Sequence, residues 1–515
     1  MTEKDKILVY VHGWFIHFGI AKALKEKHPC DIFAVIDFDD KAKKFFDIQN
    51  ILNFEKFWHY KENALITKQK PDMNYLKSFE KKYNINLWSI VYTDKTFYRY
   101  NEFYKFSQDE ILSLLEQECK FFERILDESK PDFYLTYHTQ THHEHLLYEM
   151  CRARGIRVLM LSPAKVSEKF MISQDGLLLD DFIDLSQSSK HFTQKDLENF
   201  LKENDARKYL DKIKNASFES RKTDRYKYVS KFFLSTDSSN YDTRYSYYGR
   251  TKYKVLSKKI SRFIKRKQRQ SFINKNLQTE IPSESSFVYF PLHYEPERVL
   301  LATAPFYDNQ LAVITSIAKS IPIGYQLFVK EHPMQGTIGW RDVSFYKYIM
   351  ELPNVKLIHP SVSHEKILPK CSLVVTIAGT TGLEAAFHNK PTILFSDQVY
   401  SKLPFVYRIT KLEELPDAIR KFLNKPIDFN ALGNLIELLE NNSVKFELDI
   451  VGADFSYRFG FKGPVMDAEL PIHEVKSFLD KHKDVFEKLA TEHIKKIKQH
   501  KENLSNTTSI NTVKE

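Results

Sequence analysis

Short apolar runs alternate with stretches of helical periodicity, and the alternation occurs twice in this chain. In the first third, residues 7–11, 31–37, 133–137 and 156–161 read as buried strands. Residues 16–27, 108–127 and 143–154 between them read as helices, the second with Ile111, Leu114, Leu115, Cys119, Phe122 and Ile125 on one face. Pro131 ends that helix and Gly155 caps the next. The rhythm resumes with strands predicted over 287–290, 326–329, 355–358, 373–377 and 392–395, and helices over 309–320, 343–351, 383–389 and 412–423. Strands separated by helices of this length predict parallel sheets covered on both faces. The expected fold class is α/β, with two Rossmann-like, doubly wound lobes facing a central cleft. The expected boundaries are 1–170 for the first lobe, 171–285 for a helical basic linker, 286–425 for the second lobe, and 426–515 for a helical tail with a disordered end.

The linker stands out by charge. Between Thr243 and Thr279 there are twelve lysines and arginines and no acidic residue. One reading is a solvated helical connector; the other is a surface for phosphate or for an anionic leaflet. The whole chain has 77 Lys and Arg against 67 Asp and Glu, which favours anionic partners without choosing among them. In the tail, Phe486, Leu489, Ala490, Ile494 and Ile497 recur at helical spacing beside Lys495, Lys496, Lys498 and Lys501. This pattern fits either a helix packed on the body or a basic amphipathic helix on a membrane.

Other classes are disfavoured. Apolar residues make up 42% of the chain, enough for a sizeable core, so a wholly disordered chain is excluded. No run of about 18 apolar residues is present to span a bilayer, and the apolar stretch at 7–11 is too short for a signal peptide. Cys30, Cys119, Cys151 and Cys371 form no CxxC pair, so neither a disulfide framework nor a zinc ribbon is expected. The expected location is cytoplasmic, on the inner face of the plasma membrane. RNP and zinc-finger patterns are missing, and no nucleic-acid partner is expected.

Three segments of the second lobe could carry chemistry. In SLVVTIAGTTGLEAAFHNKP a predicted strand runs through Gly379, Thr380, Thr381 and Gly382 into a helix. Glycines would let the backbone approach a ligand, and unpaired amides at a helix start suit a phosphate; a tight turn with a threonine cap explains the same residues. The P-loop lysine and the GxGxxG spacing are both absent. Glu384 could bond a ribose or complement the helix dipole. In LFVKEHP a strand ends in Lys330, Glu331, His332 and Pro333, a cationic group able to neutralise phosphate or a simple charged turn. A polar loop with His293, Glu295, Glu297 and Arg298 follows residue 291. In the first lobe, THHEH opens a helix. HExxH ligands lie four apart on one face, and His142, His143 and His145 do not, so no metal is expected. His143 or Glu144 could serve as a general base.

YFPLHYEPE, VKEHP and TIAGTTGLEAAFHNKPTILF, in this order, resemble bacterial capsule polysaccharide biosynthesis proteins, GT-B-type glycosyltransferases related to the capsular Kdo transferases. THHEHLLYEM is more distantly similar to that family's Pro-His helix opening, with the proline replaced. The resemblance implies a nucleotide-sugar donor, CMP-linked by preference, in the second lobe. Lys330 and His332 would touch its phosphate, Gly379, Thr380, Thr381 and Gly382 the same anion, Glu384 the ribose, with His293 beside them. It implies a glycan or glycolipid acceptor in the first lobe, with His143 or Glu144 as base, and neither metal nor cofactor. A nucleotide-sugar 2-epimerase or a glycerophosphotransferase shares these features, and a non-catalytic scaffold could keep the fold without turnover.

Overall fold

The computed structural model describes residues 4–99, 101–165, 169–180, 191–203, 244–282, 286–296, 298–335, 341–459 and 468–512. Thirteen strands form two sheets among these residues. The first contains β1 (Asp5–His12), β2 (Cys30–Asp37), β3 (Lys56–His59), β4 (Phe133–Tyr137), β5 (Arg157–Pro163) and β6 (Lys169–Ser173). The second contains β7 (Phe287–Pro291), β8 (Gln326–Lys330), β9 (Val355–Ile358), β10 (Leu373–Thr376), β11 (Thr392–Leu394) and β12 (Val406–Arg408). The last strand, β13 (Ser443–Lys445), returns to the first sheet.

Both expected Rossmann-like lobes are present. The first sheet runs β3-β2-β1-β4-β5 in parallel, then adds β6 and β13 antiparallel at one edge. The second runs β9-β8-β7-β10-β11-β12, wholly parallel. In each, strand order reverses once, between β1 and β4 and between β7 and β10. Such a reversal opens a crevice at the strands' carboxyl ends, where ligands of α/β sheets bind.

Residues 7–11 are buried on both faces because helices cover both. Ile7, Val9 and Val11 face one core, which they share with the helix Ile16–Lys27; Leu8 and Tyr10 face another with the helices Gln108–Ser129 and His142–Ala153. The period of two along a strand makes this division.

The end of the chain is integral to the first lobe. The helix Lys483–Thr512 buries Phe486, Leu489, Ala490 and Ile497 against Ile16–Lys27. Gly19 makes the approach possible, since a Cβ there would lie 2.5 Å from the Phe486 ring. The reading of this helix as a membrane-resting element is therefore corrected: an apolar face already packed on protein has none left for lipid. The helix continues to Thr512, through the stretch expected to be disordered; residues 513–515 lie outside the described residues. The middle segment is also more than a connector, because Tyr245 enters the first-lobe core and Leu197 a second-lobe cluster.

Candidate active site

The strand order of the second lobe sets the carboxyl ends of β8, β7 and β10 side by side. Lys330, the last residue of β8, is 2% exposed. Burial pushes its ammonium down to about 8, against the opposing pull of Glu331 and Glu384. Among the described residues it makes no hydrogen bond and no ion pair, an expensive state for a buried cation unless a ligand completes it. Glu331 points elsewhere. It accepts from Arg341, from Tyr346 Oη at 2.5 Å and from the His332 amide at 2.7 Å. Arg341 also donates to the carbonyl of His293, and Gln335 pairs with both backbone groups of Glu295 at 2.8 and 2.9 Å. The loops after β7 and β8 are thereby fastened together. His332 is half-buried, and its Nδ1 accepts from the Met334 amide at 3.2 Å. Burial lowers its pKa, so the neutral ring keeps its proton on Nε2.

The glycine turn is used differently from its expected role. The Ala378 amide donates to His293 Nε2 at 3.2 Å, and the Gly379 amide to Thr376 Oγ1 at 3.2 Å. His293 is buried, which pushes its imidazole down to about 3, so it is a neutral strut beneath the turn rather than a cation for phosphate. Gly382 is buried, and a Cβ there would meet Tyr400 Oη at 2.6 Å and Thr392 Cγ2 at 2.7 Å. It is small for packing, not for a ligand's approach. Thr380 donates its hydroxyl to Glu384 Oε1 at 3.2 Å and does not cap the helix Thr381–Phe387. The amides of Thr380 and Thr381 donate to no acceptor among the described residues. Lys330, His332 and these two amides are among the groups the crevice offers an anion.

The first lobe departs further from expectation. Glu144 is buried at the third position of the helix His142–Ala153. One carboxylate oxygen accepts the amides of Gln140 and of Thr141, the latter at 3.0 Å; the other lies 3.0 Å from His12 Nε2. Burial alone would raise its pKa, but His12 and the amides hold it at about 2. So weak a base, with both oxygens engaged, is not the free general base expected. His143 is fully buried. Its Nε2 lies 3.0 Å from Thr141 Oγ1 and 3.3 Å from Asp37, its Nδ1 3.3 Å from Tyr245 Oη, and its ring stacks on Tyr60 at 4.1 Å. It too is placed in structure rather than toward an acceptor.

His12, which was not singled out from the sequence, is the more open imidazole of this lobe's crevice. It ends β1 at the crevice, with 22% of its side chain exposed. Burial would lower its pKa, but Glu144 outweighs that and raises it. The arrangement is a part-exposed imidazole backed by a buried carboxylate. The signal was legible: a histidine closing the first strand of an α/β unit sits where ligands bind.

Ligand-capable atoms of Glu118, His142 and His143 lie within 4.8 Å of one another. They form an ion-pair network. His142 lies 3.0 Å from Asp94 through Nδ1 and 3.0 Å from Glu118 through Nε2, and the two carboxylates overcome burial to raise it to about 10. An imidazolium has no lone pair for a metal. The two crevices are linked by Arg298, from the helix Arg298–Thr303, which donates to Thr139 beyond β4.

Residues 188–404 match the family model described as capsule polysaccharide biosynthesis protein. No curated protein matches the chain. Among solved structures it resembles the UDP-GlcNAc 2-epimerase of Methanocaldococcus jannaschii, with 14% identity, 85% of this chain and 100% of the other covered, and a TM-score of 0.23. It also resembles the KpsC β-Kdo 2,7 transferase of Thermosulfurimonas dismutans, with 12% identity, 73% and 96% covered, and a TM-score of 0.29. At this distance neither speaks to the reaction. The matched segment contains His293, Lys330, His332 and the turn from Gly379 to Glu384; His12, His143 and Glu144 precede it.

Proposed function

We propose that the protein is a glycosyltransferase of capsule polysaccharide biosynthesis, taking a nucleotide-sugar, CMP-linked by preference, in the second lobe and a glycan or glycolipid acceptor against the first. The observation that carries this reading is Lys330, a buried ammonium without a hydrogen-bonding partner among the described residues, at the carboxyl end of β8 beside the β7–β10 switch point, within the segment that matches the capsule polysaccharide family model. His12 takes the proton of the acceptor hydroxyl, whose oxygen bonds to the anomeric carbon as the bond from that carbon to the phosphate oxygen breaks. Lys330, the Nε2 proton of His332 and the amides of Thr380 and Thr381 stabilise the charge gathering on the departing phosphate. Glu384 is the group for the ribose.

Thermal-shift titration with CMP, CDP, UDP and GDP tests the donor site. Lys330→Met should weaken the best-binding nucleotide about 10- to 100-fold, the equivalent of one charge-assisted hydrogen bond. Wild-type affinity should fall as pH rises through about 8, because the ammonium is then lost. A folded variant that binds as tightly as wild type removes the phosphate site. Sugar alteration without an acceptor would make the protein an epimerase; a requirement for CDP-glycerol would make it a glycerophosphotransferase; no nucleotide binding at all would make it a scaffold.

A further inference from the structure

The helix Lys252–Asn276 contains ten lysines and arginines and no acidic residue. Its C-terminal end is built into the second lobe: Ile273 and Leu277 enter that core, and Gln278 bonds to β9 through the carbonyl of Leu357 and the amide of His359 at 2.9 and 2.8 Å. Its middle rests on the first lobe, where Arg262 meets Glu102 at 2.6 Å and Lys254 donates to the carbonyl of Phe103 at 3.3 Å. Its packed side is therefore accounted for.

The opposite side is unusual. Tyr253, Leu256, Ile260, Phe263 and Ile264 are exposed by 87, 42, 53, 61 and 50%. At about 3.6 residues per turn these five fall within an arc of roughly 100°, opposite Ile273. Lys252, Lys259 and Arg266 border the arc on one side, Lys267 lies within it with its ammonium over the Phe263 ring, and Lys254 and Lys265 turn toward the packed side, Lys265 lying 3.3 Å from Asp342. A solvated connector needs no such stripe, and a nucleic-acid surface would present cations without a continuous aliphatic and aromatic ridge. A ridge of large apolar side chains bordered by cations is complementary to one kind of surface, acyl chains beneath anionic headgroups.

The geometry points to this helix as the element that docks the protein on an anionic lipid bilayer. Tyr253, Leu256, Ile260, Phe263 and Ile264 enter the headgroup boundary while Arg266 and Lys267 contact lipid phosphates. Because the helix is bonded to both lobes, docking it orients both crevices relative to the bilayer. No helix among the described residues is long and apolar enough to cross a membrane, so this attachment is peripheral. The inference is independent of the catalytic reading and survives if the donor is misassigned.

Co-sedimentation of the full chain with phosphatidylglycerol-containing vesicles, with pure phosphatidylcholine vesicles, and with a single-stranded polynucleotide tests it. Binding to the anionic vesicles is expected, weakened but not abolished by salt, with little binding to phosphatidylcholine. The double variant Ile260→Asp/Phe263→Asp should bind anionic vesicles at least about tenfold more weakly, since it places two carboxylates among the phosphates. Both positions are more than half exposed, so its melting temperature should match wild type. Wild-type protein that ignores anionic vesicles, a double variant that binds them unchanged, or attachment only to the polynucleotide would each overturn the proposal.

Discussion

Replacing Arg244 with alanine is expected to destabilise the first lobe by about 3–5 kcal/mol, the usual cost of leaving buried charges without their partner. Arg244 is 7% exposed and donates to Asp37 at 2.8 Å and to Asp39 at 2.7 Å, themselves 3% and 1% exposed. Asp37 also takes His143, which reaches Asp94 through Tyr245, and Asp94 takes His142. The guanidinium is therefore the cation that closes a buried chain of carboxylates beneath the β1–β4 crevice. Burial would raise the carboxyl of Asp37, yet Arg244 and His143 hold it well below the usual range. With its folded pKa depressed, Asp37 contributes stability above its unfolded pKa, and wild type loses that contribution only at strongly acidic pH. In Arg244→Ala the strongest opposing charge is gone, so the folded pKa of Asp37 should rise under burial. The variant should then regain stability between pH 7 and pH 5, where wild type gains nothing from this group. Urea melts at both pH values, with Arg244→Lys as a milder control, make the comparison. A variant within 1 kcal/mol of wild type at pH 7 would mean that the network does not hold the lobe together.

Replacing His12 with asparagine should lower kcat about 10²- to 10⁴-fold, the range for removal of a general base, while nucleotide affinity stays at the wild-type level. The base must be neutral to accept a proton, and Glu144 raises the pKa of His12. Wild-type activity should therefore fall on acidification from a pH above the ordinary imidazole value. Glu144→Gln removes the negative charge yet keeps a residue suited to the capping box with Thr141. In that variant the acidic limb of the rate profile should move to lower pH as the maximal rate drops. A His12 that merely packs would change melting temperature and leave the limb where it was. His143→Gln, which disturbs the buried network, should lower stability more than the rate of the folded enzyme. Nearly full turnover by His12→Asn would return the search for the base to other residues.

Neither Arg244 nor His12 was singled out from the sequence. The segment from Lys330 to Glu384 was legible because its signals are local: strand, glycine turn and cationic strand end follow one another in the chain. Even there, the roles of His293 and Gly382 were not legible. His293 meets Ala378 across 85 positions, and Gly382 is shaped by Tyr400 and Thr392. His143 and Glu144 were chosen for their chemistry at a helix start, but Asp37, Tyr245 and His12 come from distant segments and decide what that chemistry can be.

The alternation of apolar runs by itself determined two doubly wound sheets, since fully apolar five-residue strands divided by helices can be buried only between helical layers. It also determined the positive charge of the helix Lys252–Asn276, because charge is a property of composition. Which carboxylate is silenced, which imidazole stays open, and which of two lysine-rich helices keeps an apolar face toward solvent were decided only in three dimensions. Each depends on burial and on a partner brought from far along the chain, and neither is encoded in local spacing.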